Sequence, residues 1–266
     1  MTGIERRQNF VFASLAALVA CHGVSVSAQP TAPPAPAPAT TPASTPPQSA
    51  AAKALKPFSA RYKIEFFGIP AGTADIILTN GTSGRYQYTT APHPNALARF
   101  WFPSHGTLTS LAETDGFSVR PLQYREEDGT KATDEDVSLD FDWSQGVVHG
   151  VAHDEPVRLP LAAHTQDPMS LQLAVLMDFA NKRAPAHYAM VDKTQIKEYD
   201  YKSEGQTRLD TALGPLDTVI YTSSRPGASK ITRVWYAPAL DFVQVRSEDS
   251  DNGRVRVRVT ITSLKR

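Results

Sequence analysis

Apolar and polar residues alternate in short runs over most of the chain beyond residue 57. In the first run, apolar side chains occupy every second position from Phe58 to Phe66. A period of two is typical of a strand with one buried and one exposed face. Asn80-Gly81 and other glycine-containing turns separate the runs. About a dozen such runs at this spacing predict a mainly β fold, an antiparallel β-barrel that is partly open or closed.

The stretch from His164 to Pro185 has a helical pattern instead. Asp167 is a favourable N-cap, and Pro168 fits the first helical position, where its missing N–H costs nothing. Pro185 disfavours helical geometry at the residue before it and ends the element. We therefore predict one helix over about residues 168–183.

The interior of this helix is apolar on nearly every side, and its apolar residues include Leu173, Leu176 and Met177. A helix with this composition is buried. The simplest arrangement places it inside the curved sheet, where it is either a fixed plug or a lid that an apolar ligand displaces. The sequence leaves both alternatives open.

The last two runs of alternation form a hairpin with two candidate registers. A two-residue turn at Asn252-Gly253 would place Glu248 opposite Val257 and bring charged residues among the valines. A three-residue loop over residues 251–253 instead pairs Ser247 with Val257 and keeps the valines together. We expect the second register, because a slip of one residue moves every apolar side chain to the other face.

The first 28 residues have the features of an export signal. A pair of arginines precedes an apolar segment from Phe10 to Ala20, which is shorter than the roughly 20 residues that a membrane-spanning helix needs. Small residues before Gln29 favour cleavage there, which gives a signal peptide of residues 1–28 and a periplasmic protein. The sequence LVAC resembles a lipobox, which would end the signal peptide at residue 20 and anchor the protein in a membrane through lipidated Cys21.

Residues 29–56 are rich in proline, alanine and threonine and contain no aromatic residue. Such a segment cannot bury enough apolar surface to offset the entropy of ordering, so we predict a disordered linker. Residues 57–266 are then a single β domain.

Composition excludes several classes of function. Lys+Arg and Asp+Glu number 27 each, whereas a nucleic-acid binder needs a basic excess to neutralise phosphates. The chain has one cysteine, Cys21, and it lies in the leader. The β domain therefore has no disulfide, no thiolate metal site and no cysteine nucleophile.

No motif in the chain indicates catalysis. A nucleophile elbow, a zinc-protease motif, a phosphate-binding loop and a dinucleotide fingerprint are all missing from the sequence. We expect a protein that is not an enzyme and has no cofactor, with a hydrolase as a less favoured interpretation. His149 and His153 would lie roughly 13 Å apart on a strand, too far to share a metal ion, so we predict no metal site.

Three consecutive aromatic residues, Phe100, Trp101 and Phe102, stand beside prolines and a glycine, outside any clean strand pattern. We expect a loop here. Aromatic side chains on a loop at a barrel mouth suit contact with a ligand or a membrane. The same loop could instead fold down over the core.

Several segments together carry a family resemblance: AGTADIILTNG, DPMSL at the start of the helix, LGPLDTVIYTS and VWYAPALDFVQVRSEDSDNGRVRVRVTI. The matching positions are Gly72, Asp167-Pro168, Gly214 and Trp235. Over about residues 58–264 the chain resembles the DUF3108 family of exported bacterial proteins. That family has no assigned function, so the resemblance implies an exported β-rich fold and no particular activity.

The favoured function is that of a non-catalytic cell-envelope protein that binds an apolar or amphiphilic ligand in its barrel. The candidate ligand contacts are Phe100, Trp101, Phe102, Leu173, Leu176 and Met177. The expected partner is a lipid or another apolar small molecule, with no nucleic acid, and with membrane contact only if Cys21 is lipidated. The alternative is a lipid-anchored structural or interaction protein of the envelope.

Overall fold

The computed structural model describes residues 53–82, 84–101, 106–130 and 134–266, apart from the side chains of Phe100 and Trp101. Cys21, Phe102, both predicted cleavage sites and most of the predicted linker lie outside the described residues. The signal peptide and the lipid anchor therefore stay predictions. Among the described residues, no helix is long and apolar enough to cross a membrane.

The described residues form fourteen strands, two α-helices and a 3-10 helix (Pro238–Leu240). The strands are β1 (Phe58–Phe66), β2 (Ile69–Asn80), β3 (Arg85–Pro94), β4 (Thr107–Thr114), β5 (Val119–Glu127), β6 (Val137–Asp142), β7 (Val147–Ala152), β8 (Glu155–Pro160), β9 (His187–Asp192), β10 (Gln195–Thr211), β11 (Gly214–Ser224), β12 (Lys230–Ala237), β13 (Val243–Asp251) and β14 (Arg254–Lys265). The helices are α1 (Ala96–Trp101) and α2 (Ser170–Ala180). The mainly β fold predicted from the alternation is confirmed.

All fourteen strands belong to one antiparallel sheet, in the order β8-β7-β6-β5-β4-β3-β2-β1-β14-β13-β12-β11-β10-β9. Within the described residues, β8 and β9 each have a strand neighbour on one side only, so the sheet is not closed. The open form of the predicted barrel is the one observed.

The sheet curves around α2. The helix packs against β4 and β5 on one side. Near its end, the ring of Phe179 lies edge-on to Tyr221 of β11 and Tyr236 of β12, with ring centroids 5.4 and 5.0 Å apart. Because β5 and β11 are far apart in the strand order, both can contact one helix only if the sheet curls. The inward faces of the strands and α2 form one hydrophobic core.

The predicted buried helix is present, with tighter limits than residues 168–183. Leu173 and Met177 are each 1% exposed, and every residue from Ser170 to Met177 is buried. Pro168 and Met169 form a turn, and the helix begins at Ser170. The Asp167 side chain lies beneath this turn, where its Oδ1 accepts the N–H groups of Met169 and Ser170, both at 2.8 Å.

The register of the last hairpin differs from the expected one. The turn is the two-residue Asn252-Gly253, with Asp251 opposite Arg254. A register shift between Asp249 and Ser250 then slides the strands past each other, so Glu248 pairs with Arg258. The Glu248 carboxylate accepts a hydrogen bond from Arg258 Nε at 2.8 Å. The expectation of a three-residue loop was wrong because a bulge, and not the turn, adjusts which side chains face inward.

The segment expected to be an aromatic loop contains the short helix α1. Asn95 nucleates it: its Oδ1 accepts the N–H of Ala98 at 2.8 Å. The same side chain donates from Nδ2 to the carbonyl of Pro70 at 2.7 Å, which fixes α1 beside the start of β2. Phe100 and Trp101 lie in this helix.

The curled sheet has two distinct ends. The terminal end contains the segment before β1, the last residue Arg266 and the connection between β12 and β13. The far end contains the β1–β2 turn at Phe67-Gly68, the β13–β14 turn at Asn252-Gly253, and α1. Since consecutive strands are antiparallel, these assignments follow from strand order alone.

We predict that Asp167 gives the protein a stability that falls as pH rises from about 4 to 6. Burial raises the pKa of this carboxyl from its ordinary 3.8 to about 6, against hydrogen bonds from Ser170, Ser110 and Met169 that lower it. Between these values the folded state binds the proton and the unfolded state does not, so folding loses about 3 kcal/mol across the window. An Asp167→Asn variant keeps the oxygen that caps the helix and should lack this loss.

The measurement is urea unfolding of wild type and Asp167→Asn at pH values from 4 to 7.5, read as the difference between the two proteins. Asp115→Asn is the control. Turn N–H groups of Ser118 and Phe117 lower the pKa of Asp115, so the stability of wild type relative to Asp115→Asn should rise with pH, opposite to the trend for Asp167→Asn. A difference between wild type and Asp167→Asn that does not vary with pH would refute the role of Asp167.

Candidate functional site: a basic-rimmed cleft at the terminal end

A cleft of about 760 Å³ opens at the terminal end of the sheet. It lies between the C-terminal half of α2, the segment before β1 and the connection from β12 to β13. Its apolar walls include Leu55, Phe58, Leu78, Leu176, Phe179, Val219 and Val243. The last turn of α2 forms part of the cleft, because the helix ends at Ala180 and Leu176, Phe179 and Ala180 all line it.

Aromatic rings form one wall of the cleft. Phe179, on the last turn of α2, stacks face to face on Phe242, with ring centroids 4.5 Å apart and planes at 11°. Edge-on contacts join Phe179 to Tyr221 and Tyr236. Rings packed in this way present a rigid apolar surface and lose little conformational entropy when a ligand covers them.

The segment before β1 closes the cleft on one side. Leu55 is buried, and its N–H donates to the hydroxyl of Tyr86 at 3.0 Å. Lys53 donates its backbone N–H to the carbonyl of Gly116. Ordered contacts therefore begin within the range predicted as linker, several residues before β1.

The rim of the cleft is strongly basic. Its charged side chains are Lys53, Lys56, Lys182, Arg183 and Arg266, against one acid, Asp241.

Asp241 is shared by two of these cations. Lys56 Nζ lies 2.9 Å from one of its oxygens, and an Arg266 nitrogen lies 2.8 Å from the other. Arg183 pairs with Asp178 at 2.6 Å. In the part of the chain that the structure describes, Lys53 and Lys182 have no acidic side chain within ion-pair distance.

Three of the nine left-handed residues other than glycine in the described chain line the cleft: Lys182, Asp241 and Phe242. After α2, the N–H of Lys182 donates to Phe179 O, and the N–H of Arg183 donates to Asp178 O. This is a Schellman ending, whose left-handed position is usually a glycine. Here that position is Lys182, with φ of 58°. Asp241 and Phe242 are both left-handed as well, with φ of 53° and 61°. Each costs roughly 1 kcal/mol relative to glycine.

The far end of the interior is polar where the terminal end is apolar. Lys197 is 7% exposed and forms an ion pair with Asp192, which is 2% exposed. Tyr124 donates its hydroxyl to Glu126 at 2.9 Å. Burial raises the pKa of Glu126. Buried charges of this kind need their partners, so these polar contacts are a fixed part of the core at the far end.

The structure separates the residues that the sequence nominated as ligand contacts. Leu176 lines the cleft, whereas Leu173 and Met177 are buried in the core. Phe100 and Trp101 belong to α1 at the far end, away from the cleft. Phe102 and Cys21 lie outside the described residues.

Most of the residues that line the cleft cannot be identified from sequence patterns. Helical periodicity places Phe179 in the apolar interior of the helix, and the helix dipole accounts for Lys182 and Arg183. Phe242 stands between two runs of alternation, in ALDFVQVR, where no pattern marks it. A signal was available at Lys182: a helix that ends before proline without a glycine has a side chain at its left-handed position.

No group of three or more histidine, cysteine, aspartate or glutamate side chains among the described residues could hold a metal ion. His153 faces Glu135, with Nδ1 and Oε2 2.9 Å apart. His187 lies between Glu198 and Asp200, at 2.8 and 2.9 Å, and its hydrogen bond to the Asp200 carboxylate raises the pKa of the imidazole.

The fold and the cleft define a β-barrel-like protein with a helical plug. The chain belongs to the DUF3108 family, described as proteins of unknown function, whose model matches residues 61–260. This confirms the resemblance found in the sequence. No curated protein matches the chain.

Solved structures that align with this chain share little sequence with it. The β-barrel-like protein of the DUF1849 domain from Brucella abortus aligns with a TM-score of 0.54 and 10% identity, over 81% of this chain and 99% of that one. MucB from Pseudomonas aeruginosa, solved in complex with MucA, aligns with a TM-score of 0.34 and 11% identity, over 79% of this chain and 51% of that one. The first of these similarities supports the fold.

We predict that Lys197→Met destabilises the protein by about 3 to 5 kcal/mol, because it leaves the buried carboxylate of Asp192 without its cation. The measurement is the free energy of unfolding in urea at pH 7. The double variant Lys197→Met/Asp192→Leu removes both charges and should recover most of the loss. A single variant as stable as wild type would contradict the buried pair.

Proposed function

We propose that this protein is an exported, non-catalytic binding protein of the cell envelope, and that it holds an apolar or amphiphilic small molecule in the cleft at its terminal end. The observation that carries the proposal is an open cleft of about 760 Å³ with mainly apolar walls. This volume lies in the range of ligand pockets, roughly 300 to 1,000 Å³. Export is supported by the predicted leader, with cleavage before Gln29 or at Cys21.

Binding would be driven by removal of apolar surface from water. An alkyl or acyl chain lying against Leu176 and the stacked rings of Phe179 and Phe242 gains about 0.8 kcal/mol for each methylene that it buries. The rings are already packed against Tyr221 and Tyr236, so the surface is largely formed before the ligand arrives.

The residues lining the cleft support binding more than catalysis. They include no serine, cysteine or histidine among the described residues, so no pair of a nucleophile and a base can be named there. Asp241, the acid of the rim, is engaged by Lys56 and Arg266.

We predict that filling the cleft abolishes binding without unfolding the protein. Ala180 lines the cleft at the end of α2 and is partly exposed, so Ala180→Trp places an indole in the cleft from its rim. Binding is measured by fluorescence titration with N-phenyl-1-naphthylamine, an uncharged apolar probe. The variant should bind at least about tenfold more weakly, since the indole occupies the surface that the probe would cover.

The matched control is Ala228→Trp, an alanine of similar exposure in the turn between β11 and β12 at the far end. It should bind the probe as wild type does. Equal binding by Ala180→Trp and wild type would show that the probe enters elsewhere and would remove the cleft as the site. Native mass spectrometry of protein purified from its own envelope would then identify the bound molecule.

A further inference from the structure

We propose that the ligand of the cleft carries an anionic head group, a carboxylate or a phosphate, which Lys53 and Lys182 bind at the rim while its apolar chain lies inside. This rests on the proposed binding function and adds the chemical class of the ligand. The head group and the chain are recognised by different parts of the cleft, and each part can be tested separately.

The rim of the cleft has an excess of positive charge. Five cationic side chains line the cleft and one acid faces them, although the whole chain has equal numbers of basic and acidic residues. Lys56 and Arg266 share Asp241, and Arg183 is paired with Asp178. Lys53 and Lys182 are exposed and lack such a partner in the described part of the chain. An anion at the mouth of the cleft would pair with Lys53 and Lys182.

Lys182 has a left-handed backbone conformation that also supports a role at the cleft. The left-handed position of a Schellman ending selects glycine on conformational grounds, because a side chain there crowds the following carbonyl. A lysine at this position costs stability, and it extends over the cleft at the point where α2 ends. A favourable interaction with the helix dipole does not require a lysine in a left-handed conformation, since Arg183 lies beside it. A strained backbone under a side chain that lines a cleft supports a function for that side chain.

The cleft is divided into an apolar floor and a charged edge. Leu176, Phe179 and Val243 form the floor, and the lysines stand at the rim. Lysine stems lie along apolar surface while their ammonium groups reach water. An amphiphile fits this arrangement with its chain inward and its head group outward. A fully apolar ligand would leave the basic rim without a role.

The test compares ligands that share a twelve-carbon chain and differ in head group: dodecanoate, dodecyl phosphate, dodecyl maltoside and dodecyltrimethylammonium. All are titrated calorimetrically below their micelle concentrations, with inorganic phosphate as the control that lacks a chain. The two anionic compounds should bind roughly tenfold more tightly than dodecyl maltoside, and the gap should shrink as salt is raised. Decanoate should bind more weakly than dodecanoate, by about fourfold for each methylene removed.

The outcomes separate the two proposals. If all four dodecyl compounds bind equally, the anionic head group is wrong and the binding function stands. If none binds, the binding function itself fails. If inorganic phosphate binds as tightly as dodecyl phosphate, the rim recognises a free anion and the chain has no part in recognition.

Variants of the rim make the assignment specific. In Lys53→Glu/Lys182→Glu, the preference for dodecanoate over dodecyl maltoside should disappear, whereas Lys202→Glu, an exposed lysine away from the cleft, should keep it. Lys182→Gly should raise the Tm by about 2 to 4 °C, because it relieves the left-handed strain, and should lower the same preference. An unchanged preference in both rim variants would overturn the role of these lysines.

Discussion

A helix that is apolar on nearly every side cannot be stable in water unless another element surrounds it, and this constraint organises the whole domain. Helix α2 contributes a continuous set of buried residues from Ser170 to Met177. The sheet curls around the helix, so that strands distant in the strand order contact opposite sides of it. The sheet remains open between β8 and β9, and the helix belongs to the core that the curled strands enclose.

The two ends of the domain differ in the chemistry of their inner side chains. At the far end, buried polar contacts such as the Lys197–Asp192 pair lie in the interior. At the terminal end, α2 stops with a tight turn at Lys182, and the space beyond it is bounded by aromatic rings and a basic rim. The same helix ending therefore places both an apolar surface, through Leu176 and Phe179, and the left-handed Lys182 at the cleft.

Local patterns predicted the fold well and the site poorly, for physical reasons. Alternation and helical periodicity report which face of each element is buried, so the strands, the buried helix and the antiparallel sheet could be expected, whereas whether the barrel is open or closed could not. The cleft is built from Leu55, Leu176, Phe242 and Arg266, which are far apart in sequence and meet only because the sheet curls. The register of the β13–β14 hairpin was predicted wrongly for a similar reason. The bulge at Asp249 and Ser250 depends on contacts between strands, which the sequence of one strand does not show. The aromatic run at Phe100 drew attention because of its composition, but Asn95 fixes its helix at the opposite end.

The central claim is that a chain-bearing ligand lies at the terminal end of the sheet, against the last turn of α2. The most direct test is methyl NMR of the protein with stearate that carries a nitroxide near the end of its chain. The account predicts that the methyl signals of Leu55, Leu176 and Val243 broaden strongly, and that those of Ile69 and Leu97, exposed at the far end, do not. Broadening centred on Ile69 and Leu97, with the cleft methyls unaffected, would contradict it.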